Sequence, residues 1–222
     1  NKMHCIMEIS SMETIKEYMM KPENQDAMKE AGVKQEGRVM IPLKDWLYIV
    51  LTLFYYENSC SYAPHILLYE TEHKFIAKKI NLLKGDQNQP NFLAVNPKGR
   101  VPALLTPEGV LTENPAILLY IAQIFPEKHL APSKPFELAK AQSFNMFISS
   151  TVHVAHAHKL RGSRWADEKN TLINMTKKVT ENMFECASII ENNYFDGPWV
   201  LGQKFSICDT YLALVTRWLP ND

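Results

Sequence analysis

The chain has 222 residues, enough for one large domain or two small ones, and 46% of them are hydrophobic, enough for a real core. The 24 lysines and arginines balance the 24 aspartates and glutamates, so the composition argues against nucleic acid or an anionic membrane as a partner. The longest apolar run, residues 46–56, is too short to span a bilayer. Cys5, Cys60, Cys186 and Cys208 form no CxxC pair and no metal-like spacing, which predicts free thiols in a reducing, cytoplasmic setting.

The first 45 residues predict a small β-α-β unit. Residues 4–9 and 37–43 are short strand candidates, and the pattern between them predicts helices over residues 10–20 and 22–31. This unit has too little apolar surface to be stable alone. It resembles the second half of a small ferredoxin-like α+β domain of the kind that pairs into dimeric barrels. We interpret residues 1–45 as an interaction or dimerisation appendage, or as the remnant of a fused domain.

A strand, a loop, a helix and a second strand are predicted next. Trp46 to Tyr56 is typical of a buried strand by length, β-branching and aromatic content. The loop behind it contains Cys60, and Pro64 is expected to open a helix. Phe75 to Leu83 is predicted as the second strand. Strand, helix and strand of this length indicate a parallel βαβ unit.

The stretch from residue 96 to residue 115 organises the rest of the chain. Residues 106–109, Thr-Pro-Glu-Gly, suit a type I turn in a hairpin that spans residues 101–111. Asn114 is expected to be a helix N-cap, with Pro115 at the first helical position. Pro102 begins an apolar strand, which indicates a rigid turn or a cis bond and frees the backbone of Val101 to pair with another group.

The remainder of the chain is predicted to be helical after a linker over residues 127–135. A helix is expected over residues 136–160, and Asp167 is expected to cap the next one. The apolar residues of that second helix step by three or four: Leu172, Met175, Val179, Met183, Cys186, Ile190 and Tyr194. Ser206 and Asp209 form a capping box before a final apolar helix.

Three stretches of this sequence resemble one known family. Residues 96–125, the loop from Ser59 to His65, and residues 198–209 resemble a glutathione S-transferase, with the bacterial, cysteine-containing (beta-like) branch the best match. The resemblance covers about residues 49–219. It implies an α/β plus all-α fold, in which a thioredoxin-like glutathione-binding domain over 47–126 precedes an all-helical domain over 134–222. That helical domain is shorter at its C-terminus than in the family, and the family does not usually carry residues 1–45.

The resemblance implies a catalytic role for Cys60, Ser61 and His153. In the beta-like branch the cysteine contacts the glutathione sulfur and can form a mixed disulfide with it, while the histidine faces that sulfur. From the residues alone, Cys60 precedes a helix whose dipole lowers a thiol pKa, although an inert thiol is the plainer interpretation. Ser61 is an alternative thiol activator. Tyr55 aligns near the tyrosine that other branches use for glutathione, but an aromatic residue on a core strand usually belongs to the core.

The resemblance also implies how the rest of glutathione is held. The residue before the cis proline, Val101 before Pro102, pairs its backbone with the cysteine of glutathione like one more strand. Glu113 and Asn114, at a helix N-terminus, hold the ammonium and carboxylate of the γ-glutamyl end, although a plain capping pair is the alternative.

Three basic residues are weaker candidates for glutathione binding. Lys98 and Arg100 are candidates for the glycyl carboxylate, but basic residues on an exposed turn are usually only solvated. Lys84 lies near the lysine that the branch tends to place after its second strand.

A histidine cluster over residues 153–158 is the most ambiguous feature. His153 and His156 share a helix face and could be a zinc pair, but no third ligand lies nearby, so we expect no metal. Candidates for the co-substrate cleft are His156, His158, Arg161, Arg164 and Trp165. The alternative is a polar helix end followed by a loop.

Together these features predict a detoxifying glutathione transferase that conjugates the glutathione thiol to electrophiles, or exchanges it with disulfides, or both. Glutathione is its substrate, a small electrophile or disulfide its second substrate, and a homodimer its expected state. The alternative is a non-catalytic binding or interaction module with the same fold.

Overall fold

The computed structural model describes residues 21–23, 26, 50–195 and 197–219. The chain divides into two compact units, Asn1–Ile49 and Val50–Asp222. The strands expected over residues 4–9 and 37–43 lie outside the described residues, whereas residues 22, 23 and 26 are helical, in agreement with a helix that restarts at residue 22. The second unit contains every candidate site residue.

Four short strands form one mixed sheet. They are β1 (Leu51–Tyr55), β2 (Phe75–Lys79), β3 (Ala103–Thr106) and β4 (Gly109–Thr112), in the order β2-β1-β3-β4. The βαβ unit makes β1 and β2 parallel, and β3 pairs antiparallel with both β1 and β4. This is the thioredoxin-like sheet expected from the sequence, and the fold class is confirmed.

The second strand is shorter than predicted. The apolar pattern extended it to Leu83, but β2 ends at Lys79. The side chain of Asn81 accepts hydrogen bonds from the Leu83 and Lys84 amides at 3.1 and 3.2 Å. These bonds wind residues Leu82–Lys84 into a 3₁₀ turn and end the strand.

Helices cover both faces of the sheet. Helix α1 (Tyr62–Glu70) and α3 (Asn114–Ile124) pack together, and the single turn α2 (Pro90–Leu93) covers the other face. Successive residues of β1 point to opposite faces, so the Phe54 ring lies 5.7 Å from Phe92 of α2, while the Tyr55 ring lies 4.9 Å from His65 of α1. The core between β1, α1 and α3 is completely buried and consists of Leu51, Leu53, Leu67, Leu68, Ile117, Leu118 and Ile121.

Two helices begin one or two residues away from the predicted positions. Helix α1 begins at Tyr62 rather than at Pro64, because proline is tolerated within the first turn, where its missing N–H has no helical partner. Helix α3 begins at Asn114, so Asn114 is not its N-cap. Glu113 takes that position with φ 72°, an unusual value for a residue other than glycine.

The helical part follows the predicted periodicity, with one interruption. The helix expected over 136–160 is divided into α4 (Pro135–Phe147), a π-helical segment (Ile148–Val152) and α5 (His153–Arg161). Its apolar residues Ala141, Phe144, Ile148 and Val152 are completely buried. Helix α6 (Lys169–Asn193) buries the predicted Val179, Met183, Cys186 and Ile190, but Glu168 rather than Asp167 precedes its first turn.

The last described helix, α7 (Ile207–Thr216), begins at the predicted capping box. Ser206 Oγ accepts a hydrogen bond from the Cys208 amide at 3.2 Å, and Asp209 Oδ2 accepts one from the Ser206 amide at 2.8 Å. Helix α7 packs against α1, α3 and α4, and so joins the sheet-containing part to the helical part. None of the described helices is long and apolar enough to cross a membrane.

Candidate functional site

The loop between β1 and α1 is held by its own hydroxyl groups. Ser61 Oγ accepts a hydrogen bond from the Tyr56 amide at 3.1 Å and lies 2.6 Å from Ser59 Oγ. Both hydroxyls lie within hydrogen-bond distance of the Tyr56 carbonyl. Ser61 is 1% exposed. The structure thus corrects the expectation for Ser61, because its hydroxyl holds the loop rather than pointing to a bound thiol.

Cys60 links three stretches of the chain that the sequence analysis had singled out. Its Sγ donates a hydrogen bond to the Val101 carbonyl at 3.1 Å. Its own carbonyl accepts a hydrogen bond from Asn114 Nδ2 at 2.8 Å. This second bond explains why Asn114 does not cap α3, since its side chain is drawn across to the Cys60 loop.

The protonation state of Cys60 differs from the sequence expectation. A helix dipole was expected to lower the pKa of the thiol. Burial instead raises the pKa of Cys60 to about 11, and the opposing effects of Arg161 and Arg100 are smaller. Near pH 7 the side chain is therefore a neutral thiol that donates a hydrogen bond.

Val101 presents an unpaired main-chain group beside this thiol. It is 5% exposed, and its peptide bond to Pro102 is cis. Within the described part of the chain, the Val101 N–H has no acceptor. An extended peptide could therefore accept from this N–H as an added strand, with its side chain close to Cys60.

Lys98 lies at a different place from the one expected. Its Nζ donates hydrogen bonds to Glu113 Oε1 at 2.6 Å and to Thr112 Oγ1 at 2.8 Å. Both members of the Lys98–Glu113 ion pair are exposed, so the pair contributes only about 0.2–1 kcal/mol. Lys98 is thus paired with Glu113, the carboxylate that was expected to bind a ligand ammonium. A glycyl carboxylate would have to compete with this ion pair for Lys98.

Tyr55 packs as a core residue, which was one of the two roles that the sequence left open. Its ring packs on His65, which is itself stacked on Tyr69 at 5.3 Å and lies edge-on to Phe75 at 5.6 Å. These four rings form one aromatic cluster on the α1 face of the sheet. Val101 belongs to a separate apolar cluster with Phe54 and Phe92 on the other face.

His153 begins α5, where the π-helical segment ends. Burial lowers its pKa to about 4, and the charges of Arg161, His156, Arg100 and Arg164 act in the same direction. The imidazole is therefore neutral at pH 7 and can donate one N–H. The charge of Arg161 lowers the pKa of both Cys60 and His153.

The other members of the histidine cluster pack on tryptophans. His156 stacks on Trp218 with ring centroids 4.2 Å apart, and His153 lies 5.1 Å from the same indole. His158 lies edge-on to Trp165 at 4.6 Å. Within the described residues, no group of three or more histidines, cysteines or acidic residues is placed to hold a metal ion.

Sequence reasoning missed three residues around Cys60, all from α7 or its end. Arg217 Nη2 donates a hydrogen bond to Asn58 Oδ1 at 2.8 Å, and its guanidinium lies 4.5 Å from the centre of the Tyr62 ring. Trp218, the next residue, holds the histidines. Tyr211 is buried, and burial, followed by the nearby Cys60, raises the pKa of its hydroxyl. Tyr211 fits the apolar periodicity of α7, so nothing in the sequence distinguished it from a core residue.

A surface cleft of about 320 Å³ lies beside β2 and α2, away from these residues. Its lining includes Phe54, Lys78 and Phe92, and none of the candidate site residues contributes to it. The candidate site is instead the surface around Cys60, Val101, Glu113 and His153.

Known proteins match this chain over the same region. Residues 49–123 match the family described as glutathione S-transferase, N-terminal domain. Over 171 residues the chain is 33% identical to glutathione S-transferase GstA of Escherichia coli O157:H7, and the match covers 76% of this chain and 82% of that protein.

Solved structures show the same likeness. A glutathione transferase homolog from Sulfitobacter, solved with bound glutathione, gives a TM-score of 0.76 at 40% identity and covers 78% of this chain and 84% of that one. The beta class glutathione S-transferase of Sphingomonas chungbukensis gives a TM-score of 0.63 at 32% identity, with 77% and 83% covered.

Proposed function

Because this chain belongs to the glutathione S-transferase family, we propose that it binds glutathione along Val101 and conjugates the glutathione thiol to electrophilic carbon. In this reaction the glutathione thiolate attacks the carbon and a C–S bond forms. The leaving group departs with the electron pair of the broken bond, and the thiol proton passes to solvent. Binding places the thiol and lowers its pKa, so that thiolate is present at neutral pH.

The main chain of Val101 is the observation that carries this proposal. Its N–H is unpaired within the described chain, and its carbonyl accepts the Cys60 thiol at 3.1 Å. A tripeptide paired with this main chain would place its own thiol beside Cys60.

Glu113 and Asn114 are proposed to hold the γ-glutamyl end. The amides of the first turn of α3 suit a carboxylate. Glu113 suits the ammonium group, which would replace Lys98 Nζ in the ion pair. Since that exposed pair is weak, the exchange costs little. Arg100, next to Val101, is the candidate for the glycyl carboxylate.

Cys60 and His153 are proposed to stabilise the glutathione thiolate as neutral donors. A thiol with a pKa of about 11 and an imidazole with a pKa of about 4 each present a hydrogen to an anion at pH 7. A protonated thiol is a poor nucleophile, which favours conjugation over a disulfide exchange in which Cys60 attacks.

Variants of Cys60 test this assignment. Conjugation of an aryl halide should fall about ten- to hundredfold in Cys60→Ala, since a hydrogen bond to a charged group contributes about 1.5–3 kcal/mol. Cys60→Ser keeps a donor and should retain most of the rate. Reduction of a small disulfide should be slow in the wild type and in both variants. Equal conjugation rates in all three proteins would rule out a role for Cys60.

Glutathione binding can be tested without any electrophile. At a hundredfold excess over its dissociation constant, glutathione should stabilise the folded protein by about 2.7 kcal/mol in denaturant unfolding. The non-catalytic alternative predicts neither this shift nor conjugation. We propose further that the protein works as a cytoplasmic homodimer, which sedimentation equilibrium would test.

A further inference from the structure

Two arginines end the helical segment that begins at His153, and a third precedes Val101. Arg161 ends α5, Arg164 ends the 3₁₀ turn that follows it, and Arg100 precedes Val101. All three are exposed, and all three act electrostatically on His153. Arg100 and Arg161 also act on Arg164. Arg161 and Arg164 thus lie within one turn of each other at the end of α5, and the charge of Arg100 acts on the same histidine.

No acidic side chain compensates these charges within the described residues. The ion pairs found there use other bases, namely Lys79, Lys98, Lys128, Lys140 and Lys178. Glu113, whose charge reaches Cys60, is bonded to Lys98. Like charges repel one another, so an anion that bound beside these arginines would lower their mutual repulsion.

An exposed indole adjoins the arginines. Trp165 follows Arg164 directly, is 49% exposed, and is supported from one side by the edge-on ring of His158. A guanidinium binds a carboxylate through paired hydrogen bonds, and an indole face packs on a flat ring. These side chains together suit a planar organic anion.

We propose that Arg161, Arg164 and Trp165 bind an anionic group on the electrophilic co-substrate, so that the enzyme prefers planar, negatively charged electrophiles. This inference rests on the proposed function. Arg161 and Arg164 lie at the end of α5 and in the turn after it, whereas the residues proposed to hold the two ends of glutathione, Arg100, Glu113 and Asn114, lie between β2 and α3 or at the start of α3. The two arginines are therefore available to the second substrate while Arg100 serves glutathione.

A pair of aryl halides tests the proposal. A chlorodinitrobenzoate and the chlorodinitrobenzene that lacks its carboxylate undergo the same substitution, in which the glutathione sulfur bonds to the ring carbon and chloride leaves. The wild type should show a KM about tenfold lower for the benzoate, as expected for one charge-assisted contact. Added salt should reduce this advantage, because the arginines are exposed.

The variants Arg161→Gln and Arg164→Gln should each bring the ratio of the two KM values close to one. Lys140→Gln is the matched control, since it removes one positive charge from α4 about 20 Å along the helical path from His153. The control should keep the wild-type ratio. A KM for glutathione that rises as much as the KM for the benzoate would assign the arginines to glutathione and overturn the proposal.

A binding measurement separates this proposal from the proposed function. Dinitrobenzoate has no leaving group, and calorimetry should detect its binding to the wild type without glutathione and a loss of about tenfold in each arginine variant. That result supports the anion site even if the protein turns over neither halide. Absence of turnover would count only against the proposed function. Equal binding to wild type and variants would overturn the proposal.

Discussion

Cys60 and His153 have pKa values on opposite sides of neutrality. The thiol holds its proton up to about pH 11, and the imidazole remains unprotonated down to about pH 4. Between these values neither side chain carries a charge. The imidazole has one N–H to donate, and the thiol hydrogen, which is bonded to the Val101 carbonyl, would have to turn toward a bound anion. A thiolate bound between them would meet two donors without competition from a second anion.

Acid should destabilise the protein through His153. Its pKa in the folded chain is about 4, below the ordinary 6.5, so the unfolded chain takes up the proton first. The stabilisation is present above pH 6.5 and is lost as the pH falls through about 4. Its upper size is about 3 kcal/mol. Urea unfolding at pH 7 and pH 4 should show a smaller acid loss in His153→Gln than in the wild type.

The matched control for this measurement is His129→Asn. His129 is exposed and has φ 52°, a backbone conformation that asparagine tolerates well. This variant should lose as much stability in acid as the wild type. An equal acid loss in His153→Gln would show that the imidazole is not held neutral by its surroundings.

Cys60 should react slowly with alkylating reagents. A pKa of about 11, against 9.0 for an ordinary thiol, leaves about a hundredfold less thiolate at pH 7. Iodoacetamide labelling, followed by mass spectrometry of the Cys60 peptide, should therefore run about a hundredfold slower than labelling of N-acetylcysteine. The rate should climb until about pH 11. Rapid labelling at pH 7 would contradict the buried environment described for the thiol.

At this scale the sequence predicted which residues meet but not their chemistry. The motif correctly grouped Cys60, Val101 and Asn114, although 54 positions separate the first and last. The direction of the Cys60 pKa was wrong, because a helix dipole is local and visible in the sequence, whereas burial depends on β3, α3 and α7. The network that holds Ser61 is local, since Tyr56 and Ser59 lie within five positions, but such hydroxyl contacts leave no periodic signal in the sequence.

The end of α7 braces two elements of the site. Arg217 holds the Cys60 loop through Asn58 and Tyr62, and Trp218 holds α5 through His156 and His153. Neither residue is proposed to contact the reacting atoms, and each acts on the site through these partners. We therefore regard both as positioning residues.

Arg217→Ala should loosen the Cys60 loop. The lost hydrogen bond should couple Arg217 to Asn58 by about 1 kcal/mol in a double-mutant cycle, and the lost cation–π contact should couple Arg217 to Tyr62 by about 0.5–1 kcal/mol. Asn58→Gly is the suitable partner variant, since Asn58 has φ 55°. Amides of residues 57–62 should exchange faster by hydrogen-exchange mass spectrometry, and kcat should fall more than the KM for glutathione changes. Unchanged hydrogen exchange of this loop in Arg217→Ala would show that Arg217 does not hold the loop in place.

Local patterns predicted the elements well where only local forces act. The period of α6 and the capping box at Ser206 were both found in the structure. Predictions failed where a distant group intervenes, as at Asn114, or where a side chain bends the backbone, as Asn81 does after β2. The π-helical segment before His153 had no signal in the apolar pattern, which continues through it.

The sheet-containing part and the helical part share one core. Helix α7 packs against α1 and α3 on one side and against α4 on another, and its Ile207, Tyr211, Leu214 and Val215 are buried. The predicted linker over residues 127–135 suggested two separable domains. The sequence of α7 shows that more than one of its sides is apolar, but it does not show which helices cover those sides.

Residues 50–222 should therefore unfold in one step. Hydrogen-exchange mass spectrometry in rising urea should show peptides of β1 and β3 losing protection at the same concentration as peptides of α4, α6 and α7. Saturating glutathione should shift all of them together. Two separate transitions, with only the sheet peptides responding to glutathione, would contradict a shared core.

The dipeptide Arg217–Trp218 also fixes how long α7 can be. Each residue of a helix turns the chain by about 100°, so inserting or deleting a single residue between Tyr211 and Arg217 would rotate both side chains away from their partners. A substitution in this helix changes one contact at a time. A change in its length would break the contacts to the Cys60 loop and to α5 together. A chimera that joins the helical part to a different sheet should keep the spacing between Tyr211 and Arg217 unchanged.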